Sequence, residues 1–152
     1  MLATVSHLKG WNDTYGHASG DALLRALAGV LRTAADGGDD LVARNGGDEF
    51  CVAFVDTEKS RAVERAEALR RAIETLDVAH LRPAGGAEAV RITASIGVAA
   101  YPAEARTPSE LLERADEAMY HSKRNGRNAV SYFGVDGALV SLAHEPVRAG
   151  AE

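Results

Sequence analysis

The chain has 152 residues, 46% of them hydrophobic and 26% charged, which fits one globular domain and excludes both wholesale disorder and two ordinary domains. A net charge of −5 and a pI near 5.5 provide no general attraction to a nucleic-acid backbone or an anionic membrane surface. The single cysteine, Cys51, excludes an internal disulfide, no apolar run approaches the ~18 residues of a spanning helix, and the N-terminus lacks a signal-peptide pattern. A cytoplasmic protein with no membrane segment and no nucleic-acid partner is expected.

In chain order, residues 1–18 are short, mixed and rich in turn formers, opening inside what reads as an apolar strand at Met1. From Ser19 to Ala34, Leu23, Leu24, Leu27, Val30 and Leu31 recur at helical spacing, until Gly and Asp stop the pattern. Residues 41–55 form two apolar arms around Asn-Gly-Gly-Asp, a hairpin signature, because tight turns demand a positive φ that glycine tolerates. A helix is predicted from Thr57 to Leu76, with Ala62, Ala66, Leu69, Ile73 and Leu76 on one face. A loop over 77–89 follows, then a strand over 90–100 in which Val90, Ile92, Ala94, Ile96 and Val98 alternate with smaller or polar residues. Thr107, Pro108 and Glu110 form a helix-start signature, and the helix that follows buries Leu111, Leu112, Ala115 and Met119 and ends near Gly126. A short strand over 129–133 completes the domain, and 134–152 reads as a flexible C-terminal tail. The order, one hairpin among helical crossovers, implies an α+β fold: a ferredoxin-like α/β sandwich with a central mixed sheet and flanking helices.

Three clusters could carry chemistry. At the hairpin tip Gly46 and Gly47 precede Asp48 and Glu49. In a regular strand these carboxylates would point to opposite faces, but a glycine turn breaks the pleat and lets both lean over the tip. Paired carboxylates there suit Mg²⁺ (or Mn²⁺), although Gly and Asp also make an ordinary soluble turn. Upstream, in the run from Asn12 to His17 and in Gly20-Asp21, Asn offers a donor and an acceptor and Asp a two-oxygen acceptor, the groups a guanine edge needs, although Asn-Asp and Gly-His are common loop residues and Asp21 near a helix start would suit the macrodipole. Lys123, Arg124 and Arg127 stand around Gly126 at a helix C-terminus, where cations favour the dipole or clamp phosphates. His7, His80, His121 and His144 lack metal-ligand spacing. Cys51 reads as a small buried hydrophobe.

Taken together, Asn-Asp-Thr-Tyr-Gly-His, Gly-Asp-Ala-Leu-Leu, Arg-x-Gly-Gly-Asp-Glu-Phe, Ser-Ile-Gly-Val-Ala, Ala-Asp-x-Ala-Met-Tyr and Lys-x-x-Gly-Arg-Asn closely resemble the GGDEF domain of diguanylate cyclases. The resemblance covers residues 12 to about 133 and implies a fold like the palm of nucleotidyl cyclases. It implies a nucleotidyltransferase that condenses two GTP to cyclic di-GMP in bacterial second-messenger signalling, working as a homodimer. It makes Asp48 the carboxylate that helps deprotonate the ribose 3′-hydroxyl and binds metal, and Glu49 a metal ligand. Asn12 and Asp21 match guanine-reading positions with His17 beside them, and Lys123 and Arg127 match triphosphate contacts.

Three departures qualify that expectation. Where the family carries Asp-x-Asp, its first Asp a metal ligand, this chain has Thr4-Val5-Ser6. The usual preceding helix and most of the first strand are expected to be missing, because the chain starts at Met1. The family's feedback Arg-x-x-Asp reads Gly37-Gly38-Asp39-Asp40, so inhibition by product at that surface is not expected unless another arginine such as Arg32 substitutes. The alternative function is a catalytically degenerate GGDEF module acting as a GTP-binding or protein-interaction regulator.

Overall fold

The computed structural model describes residues 1–35, 38–83 and 90–142. In order they form β1 (Leu2–Ser6), α1 (Leu8–Tyr15), α2 (His17–Ala34), β2 (Leu41–Gly46), β3 (Glu49–Ala53), α3 (Lys59–Glu74), a 3-10 turn (Ala79–Leu81), β4 (Thr93–Val98), α4 (Pro108–Arg124), β5 (Val130–Phe133) and β6 (Leu139–Ser141). One sheet runs β2-β3-β1-β4-β5-β6, with β4 and β5 parallel and every other pair antiparallel. The α+β expectation therefore holds, with a mixed six-stranded sheet.

Alternation along the strands decides which layer covers each face. Ala3 and Val5, Phe50 and Val52, and Ala94, Ile96 and Val98 face α1, α2 and α3, joining Trp11, Leu23, Leu27, Leu31, Leu69 and Ile73 in the main core. The opposite face carries Leu2, which packs on Ala115 and Met119 of α4. Gly97 is what lets α4 lie there. A Cβ at this position would fall 2.0 Å from the Ala115 carbonyl oxygen and 2.2 Å from the Met119 nitrogen, and backbone atoms cannot yield.

β1 occupies the middle of the sheet. Leu2 stands opposite Cys51 on one side and Gly97 on the other, and Thr4 opposite Glu49 and Ser95. The Met1 amine extends the ladder by donating to the Val52 carbonyl at 3.0 Å, and burial holds that amine below its ordinary value. The strand thus pairs over all five residues with β4 and over Leu2, Ala3 and Thr4 with β3. β1, five residues long, is the strand at the centre of the sheet.

Two elements depart from the sequence reading. Residues 8–15, read as turn-rich, are helical because Leu8, Trp11 and Tyr15 fall on one face and are buried there. Trp11 Nε1 donates to Ser19 Oγ at 2.9 Å, and Ser19 Oγ donates to the Leu81 carbonyl at 2.7 Å, so tertiary bonds hold what Gly10 and Asn12 would weaken. Residues 139–141, read as part of a flexible tail, pair with β5 as β6. At 134–137 the chain reverses through Gly137, φ 77°, and closes that hairpin. Residues 36–37, 84–89 and 143–152 lie outside the description, and with them Gly37, the glycines of the 77–89 loop and His144. The α4 start is as predicted: Thr107 Oγ1 accepts from the Glu110 amide at 3.2 Å, and Glu110 Oε2 accepts from the Arg106 amide at 2.7 Å.

Candidate active site

The hairpin tip is built by its backbone. Gly46 and Gly47 have φ of 143° and 49°, and the pairing shifts register between Arg44 and Gly46. Arg44 closes the turn, its Nε and Nη2 donating to the Gly47 carbonyl at 3.0 and 2.7 Å. Asp48 therefore lies in the turn, outside the pleat, while Glu49 begins β3. The Asp48 carbonyl accepts from the Val5 amide at 3.0 Å, and Glu49 stands opposite Thr4, so both residues are docked on the C-terminal end of β1.

The same end of β1 leads, one residue after Ser6, into α1. Asn12 is on α1 and its Oδ1 lies against Gly20 of α2, where a Cβ would sit only 1.7 Å away. That oxygen is buried and has no hydrogen-bond partner. Packing against Gly20 encloses this oxygen without giving it a donor. Asp21 follows Gly20 on the exposed side of α2, and His17 is exposed at its first position. α1 and α2 meet at Gly16, φ 84°, whose amide bonds the Asn12 carbonyl at 2.8 Å. A lone hydroxyl marks the sheet beneath: Ser95, opposite Thr4, is fully buried and its Oγ has no partner.

Lys123, in the last turn of α4, brings Nζ to 3.8 Å from Glu49 Oε1, with both side chains partly exposed. Arg127 follows in the turn to β5, exposed and with a left-handed φ of 61°. The structure thus brings Glu49 and Lys123 together, docks Asp48 beside them on β1, and joins Asn12 to the Gly20-Asp21 pair. Sequence reasoning missed the supporting roles of Arg44, Gly20, Ser95 and Gly97. All four lie inside the quoted motifs, but what each touches, Gly47, Asn12, Thr4 and α4 respectively, is set by the fold.

Among the described residues no three His, Cys, Asp or Glu side chains converge as a metal cluster. Asp48 and Glu49 do fit Mg²⁺, which is usually bound through one or two carboxylates with water and substrate phosphate oxygens completing the shell. Thr4, buried between Glu49 and Ser95, adds a neutral hydroxyl rather than a third charge.

The sequence profile described as diguanylate cyclase, GGDEF domain, matches residues 1–129. The chain belongs to the GGDEF family. Diguanylate cyclase A of Treponema denticola is 35% identical over 131 residues, 86% of this chain and 34% of that protein. The response regulator PleD of Caulobacter vibrioides is 42% identical over 133 residues, 86% of this chain and 28% of that protein. The chain therefore spans about a third or less of the length of these relatives. The solved GGDEF domain of DgcB from Caulobacter crescentus, in complex with c-di-GMP, has a TM-score of 0.74 at 33% identity, covering 86% of this chain and 74% of that one.

Asp40, the acidic residue kept from the Arg-x-x-Asp motif expected before the hairpin, is engaged within the domain. Asp40 is almost fully buried: Oδ2 accepts from Arg65 Nη2 at 2.5 Å and Oδ1 from the Val55 amide at 2.8 Å. Arg65 also lies 3.9 Å above the Phe54 ring. The arginine at Asp40 is thus Arg65, on α3. No helix among the described residues of the domain is long and apolar enough to cross a membrane.

Proposed function

We propose that this GGDEF domain binds GTP and, as a homodimer, joins two GTP molecules into cyclic di-GMP at a rate lowered by Thr4. The observation that carries the reading is the convergence on the C-terminal half of β1: Asn12, its amide oxygen unpaired, on the helix that β1 leads into, and Asp48 and Glu49 paired to Val5 and Thr4.

The reaction is an in-line displacement. The ribose 3′-oxygen of one GTP attacks the α-phosphorus of the other, the bond to pyrophosphate breaks, and the exchange is repeated to close the ring. Asp48 takes the 3′-hydroxyl proton on its carboxylate. Asn12 and Asp21 pair with the guanine edge, with His17 beside them, and Lys123 and Arg127 neutralise the triphosphate. Mg²⁺ (or Mn²⁺), held by Asp48 and Glu49 when bound, supplies charge stabilisation of the phosphates. Lys123 waits on Glu49 without substrate, and a triphosphate competes for the same cation. Product and substrates balance as two GTP giving one cyclic di-GMP and two pyrophosphates.

Thr4 favours a second reading, a GTP-binding regulator without turnover, because the family's first metal-binding carboxylate is here a hydroxyl. Calorimetric titration with GTP and ATP, followed by incubation with Mg²⁺ and GTP and chromatographic search for cyclic di-GMP, separates the two. Preferential GTP binding with product supports the cyclase. GTP binding with no product at any protein concentration supports the regulator, and equal affinity for ATP overturns both.

A further inference from the structure

Three successive residues after α4 have positive φ: Gly126 at 96°, Arg127 at 61° and Asn128 at 47°. Glycine adopts such values freely, whereas arginine rarely does, so a left-handed Arg127 has to be imposed by its surroundings. On one side, the Arg127 amide donates to the Ser122 carbonyl at 3.0 Å. On the other, Asn128 uses its whole side-chain amide: Oδ1 accepts from Arg70 Nη1 at 2.8 Å, and Nδ2 donates to Glu74 Oε1 at 3.0 Å.

The base of this bridge is rigid. Arg70 and Glu74 are both on α3, with side chains 3% and 2% exposed, and Arg70 Nη1 also bonds Glu74 Oε2 at 2.8 Å. Glu67 takes the remaining edge of the guanidinium through both of its oxygens, at 2.9 Å each, so the buried charge of Arg70 is matched and its direction fixed. Arg71 and Arg91 contact Glu67 and Glu74 from the outside. Immediately after Asn128 the chain enters the sheet, where the Ala129 carbonyl accepts from the Ile96 amide at 2.9 Å.

We propose that Asn128 is a positioning residue: tied to α3 through Arg70 and Glu74, it holds Arg127 in the left-handed conformation that aims its guanidinium at the triphosphate. This rests on the assignment of Arg127 to the triphosphate. Asn128 itself touches no substrate; it acts through Arg127, and the α3 ion network is the anchor.

The test is a double-mutant cycle on GTP affinity, read by calorimetry with a non-hydrolysable GTP analogue and Mg²⁺, beside guanosine binding followed by NMR. Arg127→Ala and Asn128→Ala are each expected to weaken the analogue about tenfold and to leave guanosine unchanged. The double variant is expected to be no weaker than Arg127→Ala alone, because a residue that works through Arg127 has nothing left to position. Asn128→Gly, which accepts the same φ but lacks the bridge, guards against misfolding and should behave as Asn128→Ala does. Additive losses in the double variant, an equal loss of guanosine binding, or unchanged GTP affinity in both Asn128 variants would overturn the positioning role alone. Unchanged affinity in Arg127→Ala would overturn the triphosphate assignment beneath it.

Discussion

A methyl group at residue 20 would occupy the space of the Asn12 amide oxygen, so Gly20→Ala tests the proposed guanine-reading role of Asn12 without replacing a polar group. Alanine should favour α2 by about 1 kcal/mol, while the flexible Asn12 side chain swings aside. Thermal melting is expected to move by no more than a few degrees, and calorimetry to record a tenfold or greater loss of GTP affinity, the scale of one hydrogen bond to a buried group. Unchanged affinity would remove Asn12 from the base. Thr4 poses the complementary case. Thr4→Asp adds a negative charge opposite Glu49 and next to Val5, which bonds Asp48, with Lys123 the cation on Glu49, so the metal-free variant should melt earlier. Mg²⁺ should restore the melting temperature, and Ser95 Oγ gains an acceptor it lacks in the parent. Recovering about 3 kcal/mol of transition-state stabilisation corresponds to roughly a hundredfold in rate. A variant that neither regains stability with Mg²⁺ nor turns over faster would place the lesion elsewhere.

Among the elements, α3 carries the heaviest electrostatic load, and its acid response has a definite sign. Burial raises the Glu67 carboxyl, but hydrogen bonds and charge from Arg70 and Arg71 outweigh burial and leave it below its ordinary 4.5. A carboxyl lowered on folding contributes stability that is whole above its unfolded value and lost as pH falls through the folded one. Denaturant melts should therefore show a loss of stability below about pH 4.5 that is smaller in Glu67→Gln, a variant already weaker at neutral pH. Long elements of this kind were legible in the sequence. The α3 stripe from Ala62 to Ile73, the α4 cap at Thr107 and the glycine hairpin each carry their own local signal, and the structure moves their ends by only a few residues. α1 and β6 were not legible, since three buried side chains and a bond from Trp11 to Ser19 make one, and pairing with β5 makes the other. The site divides the same way. Asp48, Glu49 and Asn12 stand in recognisable motifs, whereas the roles of Gly97 and Ser95 depend on α4 and β1, placed there only by the finished fold.

For the whole molecule, the proposed synthesis from two GTP by two copies sets a kinetic order. If each copy holds one GTP and the encounter limits the rate, doubling the domain concentration should raise the initial velocity about fourfold. A simple twofold rise at micromolar protein would mean a preformed assembly or a single-copy reaction. Each copy carries −5, so added salt should quicken the encounter by screening like charges. The position of β1 has a consequence for synthesis. The strand at the centre of the sheet precedes both of its neighbours in sequence, and Leu2 has no β4 partner until Gly97 exists. At about 5–20 residues per second a ribosome needs roughly 5–20 s to bridge that gap, then more to clear its tunnel. During that time Leu2, Ala3 and Val5 wait as an apolar segment that a chaperone can hold or a neighbouring chain can capture. A nascent chain stalled before residue 98 should be cut readily by protease throughout, and resistance should arise in one step once β4 and α4 have emerged.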